Sequence, residues 1–440
     1  MGRVRRRGGA VVLIPRPRSC WREPLAVMAG LADEPWAVLL TGDRWSYLAR
    51  QPTATRQVTA DAADRDFAAL RDLLGPKRAI DPEGPPFQGG VIGLACHEFA
   101  QRLEPSPLPR DPDWPDLILA RYDSLIAFDH AERRLWPIGP HARAWLKTET
   151  PDLALPDAPA EALRGDDPRR YEDAVADVIG RIHAGEIFQA NIARRWDGRL
   201  RPGTGPFDAF RRLMQRAPAA FAAYWRLPGL AVVSHSPETF LTLGADGEIE
   251  ARPIKGTRPR AGDPYTDEIL GRELLASPKD RAENLMIVDL MRNDLARVCR
   301  PGTVTVPTLF ALESQPYVHH LVSTVRGRLA AGADAADVLA ATFPPGSVIG
   351  APKVQAMKVI AAHEPPRGPW CGSLFWAGVD GALASSVLIR TATLAKSAGR
   401  WRFRFDAGAG IVADSDPAAE RAETETKIAA LAWAFAGRNP

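Results

Sequence analysis

The dipeptide Asp246-Gly247 lies between two runs that read as strands, Phe240 to Leu243 and Glu248 to Ile254. Asp-Gly is what a two-residue type I′ hairpin turn requires, because both of its positions need φ > 0. Such a loop pairs Ala245 with Glu248 and, further down the ladder, Glu238 with Lys255. Gly256-Thr257 then leave the sheet as approachable backbone, just before Arg258-Pro259-Arg260. A carboxyl opposite an amine at a strand end, beside glycine, suits general-acid and nucleophile roles. An ordinary cross-strand Glu/Lys pair has the same appearance and contributes only about 0.2–1 kcal/mol. A register shift of one residue also moves the two groups to opposite faces. Other segments have to decide.

A chain of 440 residues with 45% hydrophobic and 25% charged content is ordinary for a soluble globular protein of one intertwined or two separate domains. A net charge of +3 is too small for this length to argue for nucleic acid. No run of 18 apolar residues appears, so no transmembrane helix is expected. Cys20, Cys96, Cys299 and Cys371 are scattered without metal-ligand spacing and read as buried thiols in a reducing cytoplasm. The start is rich in arginine (Arg3, Arg5, Arg6, Arg7, Arg16, Arg18), and its apolar run is too short for a signal peptide.

Residues 1–150 mix short strand-like runs with one helical stretch near Asp61 to Leu74, and offer a core without recognisable chemistry. Residues 151–167, rich in Pro, Ala and Asp, read as a linker to a second region, 168–436. Pro168 opens a helix through His183 with Tyr171, Val175, Val178 and Ile182 on one stripe. Gly185 to Ala193 then alternates like a strand and places the Gln189 amide on a pleat, where it serves a ligand or the core.

Two later helices carry more chemistry. Ser277-Pro278-Lys279-Asp280 is a helix start with proline in the first turn, and the apolar residues that follow predict a helix buried all round. Glu283 in its second turn then needs a cation, from Arg281, Arg292 or a metal, because a buried unpaired carboxylate is costly. Asp416-Pro417 opens the other helix, which Gly437 ends. Its Glu423, Lys427, Leu431 and Phe435 form one i+4 row with Glu420 alongside, and a row charged at one end and apolar at the other predicts a polar half facing an internal cavity. Upstream, a hairpin around Ser397-Ala398-Gly399 brings Arg390 towards Gly408-Ala409-Gly410, a carboxylate-binding arrangement. Acids from different helices, with Lys and Arg, suit a small dicarboxylate held partly through Mg²⁺.

With these residues placed, the segment from Tyr171 to Ala436 resembles the chorismate-utilising enzymes. The resemblance rests on Ser236-Pro237-Glu238, Pro253-Ile254-Lys255-Gly256-Thr257, Asp280-Arg281-Ala282-Glu283-Asn284-Leu285, Val288 to Asp294 and Gly350-Ala351-Pro352-Lys353. Ile389-Arg390, Gly408-Ala409-Gly410 and the Glu420/Glu423/Lys427 helix complete it, and the N-terminal region is more loosely similar to the family's N-terminal half. It implies an α+β fold in which two large antiparallel sheets pack as a sandwich with helices outside. Within the family, Lys255 and Trp370-Cys371-Gly372-Ser373 resemble the aminodeoxychorismate branch; the anthranilate branch typically has Ala in place of that lysine. Gln189 stands where the branches that hydrate the ring generally carry a lysine base.

The resemblance further implies amination of chorismate at C4, with Lys255 as nucleophile, Glu238 as general acid and Mg²⁺ held by Glu283, Glu423 and Glu420. Arg390 with the backbone of Gly408, Ala409 and Gly410 binds the enolpyruvyl carboxylate in that scheme. Gly256, Thr257, Lys427, Gln189, Trp370 and His320 provide further contacts in that scheme, and His320 reads equally well as a structural residue. No Gly-x-Cys-Leu-Gly motif surrounds any cysteine, so ammonia is expected from a separate glutamine amidotransferase subunit. Neither nucleic acid nor a membrane is expected as a partner.

Overall fold

The computed structural model describes residues 21–104, 106, 108–147, 154–216, 219–315 and 318–437. The arginine-rich start and Cys20 lie outside them. Among the described residues two antiparallel sheets, of eleven and ten strands, form the body. Each draws on both halves of the chain. Val38–Leu40, Trp45–Ala49, Leu125–Asp129 and Arg134–Ile138 extend the first sheet, while Ala54–Val58, Gly90–Ala95 and Leu117–Tyr122 extend the second. The first 150 residues are thus woven into the same sandwich as the rest.

Alternation along the strands explains the layering. Tyr47, Ile92, Ile118, Trp225, Val232 and Leu374 meet between the sheets. The opposite face of the first sheet carries Trp196, Phe403 and Phe405 against the helices Pro206–Arg216 and Pro417–Ala436. The second sheet contributes Leu241, Ile249 and Val325 to a core with Val288, Met291 and Leu295 of the helix Pro278–Ala296.

Three sequence expectations need correction. Glu238 and Lys255 are not cross-strand partners: Leu243 pairs with Ile249 and Thr242 with Glu250, one residue out of the expected register. The loop has three residues, closed by the Gly247 amide on the Gly244 carbonyl with Gly247 at φ 85°, so one left-handed glycine replaces the type I′ turn. The second strand stops at Ala251, and Lys255 belongs to a separate strand, Ile254–Pro259, paired with Val318–Arg328. Next, part of the expected linker is a strand, Ala160–Gly165, on the edge of Gln189–Leu200; residues 151–153 lie outside the described residues. Finally, Pro278–Ala296 is not buried all round, since Leu285 is 50% exposed and Arg281, Asp289 and Arg292 share the outer face.

Elsewhere local signals agree with the structure. Pro168–His183 and Pro417–Ala436 have the expected bounds, capped by Asp167 and Asp416. The second hairpin turns through Ala398 and Gly399, both with φ > 0, and pairs Ser397 with Arg400. Cys96, Cys299 and Cys371 are buried free thiols. Among the described residues no helix is long and apolar enough to cross a membrane.

Candidate active site

The strand Arg400–Ile411 sorts its residues by parity. Phe405, Ala407, Ala409 and Ile411 enter the hydrophobic cores and Asp406, Gly408 and Gly410 lie on the other face, and the stretch from Asp406 to Gly410, Ala409 included, forms one wall of a cavity of about 600 Å³. The glycines are needed for close approach. A Cβ on Gly410 would lie 2.2 Å from Gln189 Nε2 and 3.5 Å from Lys255 Nζ, and one on Gly408 would lie 2.5 Å from Asn191 Oδ1. Bare backbone here leaves room for a ligand and brings the Lys255 amine to the wall.

Opposite that wall, Glu238 and Lys255 line the same cavity despite the altered register. The break at Arg252-Pro253 re-aims the chain, and the buried Asn284 holds it: its amide donates to the carbonyls of Pro253 and Leu321 at 3.4 and 3.2 Å and accepts from the Ser323 hydroxyl at 2.6 Å. Burial raises the Glu238 carboxyl above its usual range, opposed by a 2.7 Å hydrogen bond from Ser347 and by the charges of Lys255 and Arg390. A carboxyl so placed retains its proton longer than an exposed one, which suits an acid.

Arg390 has φ 49° and its backbone carbonyl accepts from the His235 amide; the exposed surface of its side chain lines the cavity. His320 faces Thr257, with Nδ1 3.0 Å from the hydroxyl, and burial followed by the nearby Arg390 charge holds its ring below the usual histidine range. Trp370 lines the cavity with the Arg367 guanidinium 4.9 Å from its ring centroid. Gln189 is fully buried behind Gly410, and neither of its amide atoms has a hydrogen-bond partner among the described residues.

The acidic wall comes from two helices. Glu283 lines the cavity with Glu420 and Glu423. Burial lifts the Glu283 carboxyl, and the charges of Lys255 and Lys279 oppose this while Asp280 and Glu420 add to it. Neither arginine expected to partner it does so: Arg281 stacks over Phe310, and Arg292 pairs with Asp289 on the outer face. Glu420 accepts from Ser415 at 2.7 Å. Lys427 bridges Glu423 and the Gly408 carbonyl, each at 2.7 Å. Burial lowers the Lys427 amine despite Glu423, while burial of Glu423 is outweighed by Lys427, so that carboxyl stays below its usual range. Among the described residues no three His, Cys, Asp or Glu side chains are close enough to enclose a metal ion by themselves.

Ser347, Lys279, Asn191 and Asp406 also line the cavity, and sequence reasoning did not single them out. Ser347 stands three residues before the Gly350-Ala351-Pro352-Lys353 motif, which was the available signal for it. Lys353 itself is structural, with its amine 2.7 Å from the buried Asp294.

The chain matches the chorismate binding enzyme family over residues 35–432. It belongs to that family. Among curated members, aminodeoxychorismate synthase component 1 of Klebsiella aerogenes is 40% identical, over 93% of this chain and 96% of its own length. Anthranilate synthase component 1 of Streptomyces coelicolor is 39% identical, over 88% of this chain and 80% of its own length. The crystal structure of anthranilate synthase component I from Streptococcus pneumoniae superposes with a TM-score of 0.78 at 27% identity, covering 88% of this chain and 92% of that one. The sandwich with its outer helices is therefore the fold of this family, including the N-terminal strands.

Proposed function

We propose that this member of the chorismate binding enzymes is an aminodeoxychorismate synthase component, converting chorismate and ammonia to 4-amino-4-deoxychorismate. The observation that carries the reading is the Lys255 amine at the Gly410 wall of the cavity that Glu238 also lines. In this mechanism the neutral Lys255 amine bonds to ring C2 while the C4–O bond breaks, and Glu238 delivers its proton to the departing hydroxyl. Ammonia then forms the C4–N bond and the C2–lysine bond breaks, which frees Lys255. Arg390 and the backbone around Gly408 and Gly410 orient one substrate carboxylate, with Lys427, Thr257, His320 and Trp370 fixing the remaining contacts.

The acidic wall fits Mg²⁺. Glu283, Glu420 and Glu423 present hard oxygen donors on one side, and Mg²⁺ is commonly held by one or two carboxylates together with substrate and water rather than by an all-protein cage. When bound there, the ion would neutralise the substrate's ring carboxylate. The designation component 1 among the relatives supports a partner component, which we take to be a glutamine amidotransferase supplying ammonia. Three buried free thiols support a cytoplasmic location.

A second reading, anthranilate synthase component I, is favoured by the 39% identity to the Streptomyces coelicolor enzyme. Incubation with chorismate, Mg²⁺ and ammonium, followed by mass spectrometry, separates the two. The proposed reading expects 4-amino-4-deoxychorismate, and a fluorescent anthranilate product overturns it.

A further inference from the structure

The strand Gln189–Leu200 has a gap along one edge. Gly350-Ala351 pairs with Gln189 and Ala190, and Ala160–Gly165 pairs from Trp196 onward, so between them the Asn191 carbonyl and the Ala193 amide face no strand. Side chains take the missing strand's place. Arg367 Nη2 donates to the Asn191 carbonyl at 2.7 Å, and Glu364 Oε1 accepts from the Ala193 amide at 2.8 Å. The two residues also grip each other, Nε donating to Oε2 at 2.8 Å and Nη2 to Oε1 at 2.9 Å. Arg367 is buried, and the Glu364 side chain is 7% exposed.

The other arm of the guanidinium reaches the neighbour of the acid. Arg367 Nη1 donates to the Val348 carbonyl at 3.1 Å, in the turn Gly346–Val348 whose Ser347 donates to Glu238 at 2.7 Å. The Arg367 backbone is fixed as well: its amide donates to Glu98 at 2.7 Å and its carbonyl accepts from Arg404 at 3.0 Å. One plane therefore ties the strand that flanks Gly408 and Gly410 to the turn that aims Ser347. Filling a gap in a ladder takes any donor and acceptor. Reaching both carbonyls while seated on a carboxylate takes the rigid fork of an arginine, which the point charge of a lysine does not reproduce.

We propose that Arg367, seated on Glu364, is a positioning residue for the general acid: by tying the Val348 carbonyl to the Asn191 carbonyl it holds the Ser347 hydroxyl on Glu238. Arg367 is not among the residues lining the cavity, so it acts through Ser347. When the turn loosens, that hydrogen bond weakens, burial of Glu238 is less opposed, and the acid keeps its proton to higher pH. The role of Glu238 as acid rests on the amination reading; the contacts that hold the turn do not.

The alkaline limb of the kcat/KM profile, followed by chorismate consumption with Mg²⁺ and ammonium chloride, tests it. Arg367→Lys keeps the charge beside Glu364 and loses the fork. Its limb should move upward by about 0.5–1 in pH, with kcat/KM about tenfold lower. In a Ser347→Ala background the same substitution should move the limb no further, because the bond it acts through is gone. Lys255 and Arg390, the charged groups that face Glu238, are unchanged in each variant. A limb left in place by Arg367→Lys, or moved equally with and without Ser347, overturns the proposal. Should Arg367→Lys fail to fold, Glu364→Asp keeps the charge and draws the fork back by one methylene; its limb should also move upward, and a limb left in place overturns the proposal. Failure of the amination reading shows itself separately, as a product other than 4-amino-4-deoxychorismate from the wild-type enzyme, while chorismate consumption still reports the limb.

Discussion

Ser347 donates its hydroxyl proton to Glu238 across 2.7 Å where both side chains are buried. The bond opposes burial, which raises this carboxyl, and it fixes the direction of the acid's other oxygen. Ser347 comes from the short turn Gly346–Val348, whereas Glu238 lies in the connection between the strands Leu230–Ser236 and Thr239–Leu243, and Lys255 lies on the strand Ile254–Pro259.

Replacing Ser347 by Ala removes a neutral donor that opposes that rise. The Glu238 carboxyl should then hold its proton to still higher pH, so the alkaline limb of the kcat/KM profile moves upward. Loss of orientation should lower kcat/KM by about 10- to 100-fold. Steady-state rates followed through the alkaline limb of the profile, in wild type and variant side by side, check this. A limb that stays in place refutes the role.

Glu238→Gln separates stability from catalysis. Because the folded carboxyl sits above its unfolded value, its contribution is full below about pH 4 and is lost as pH rises through the raised value. The neutral amide avoids that loss. Thermal melts should therefore show Glu238→Gln more stable than wild type at pH 8 and little different at pH 4, with kcat lowered by about 10²–10⁴. A variant less stable at pH 8 would contradict the assignment of burial as the dominant influence on Glu238.

What could be read from the chain depended on range. The helix Pro417–Ala436 was legible because its determinants are local: Asp416 accepts from Ala419, proline occupies the first turn, and Gly437 takes φ 73°. Its charged row faces the cavity because Leu431 and Phe435 are buried in the core behind it. The Glu238–Lys255 relation was legible as a shared site but not as a strand pair, since a three-residue loop and a two-residue loop use the same Asp-Gly letters. Asp406 and Asn191 escaped notice because only long-range pairing between Arg400–Ile411 and Gln189–Leu200 brings them together. Leu285 misled because an apolar side chain at the surface is unmarked in sequence.

Asn284 connects the helix that carries Glu283 to the strand that carries Lys255. Truncation by Asn284→Ala leaves the carbonyls of Pro253 and Leu321 and the Ser323 hydroxyl without their partner. Denaturant unfolding should show a loss of roughly 2–4 kcal/mol, combining an unsatisfied network with a small cavity. The chorismate KM should rise as well, because Lys255 follows directly on the Pro253-Ile254 segment that the amide holds. A stability loss with unchanged kinetics would make Asn284 a core residue alone.

Metal binding should depend on substrate and on pH together. Glu283, Glu420 and Glu423 lie on one wall without forming a three-ligand cage among the described residues, and Lys255 and Lys279 already offset their charge. Mg²⁺ alone should therefore bind weakly, and chorismate, by adding its own carboxylate, should tighten it. Glu283 must also lose its proton, and burial holds that proton to higher pH than usual, so affinity should fall as the solution is acidified through its raised value. Isothermal titration with Mg²⁺, with and without chorismate, at several pH values tests both couplings. Glu283→Gln should abolish the pH dependence and weaken binding about tenfold or more. Equal affinity with and without chorismate would instead mean a site preformed by protein alone.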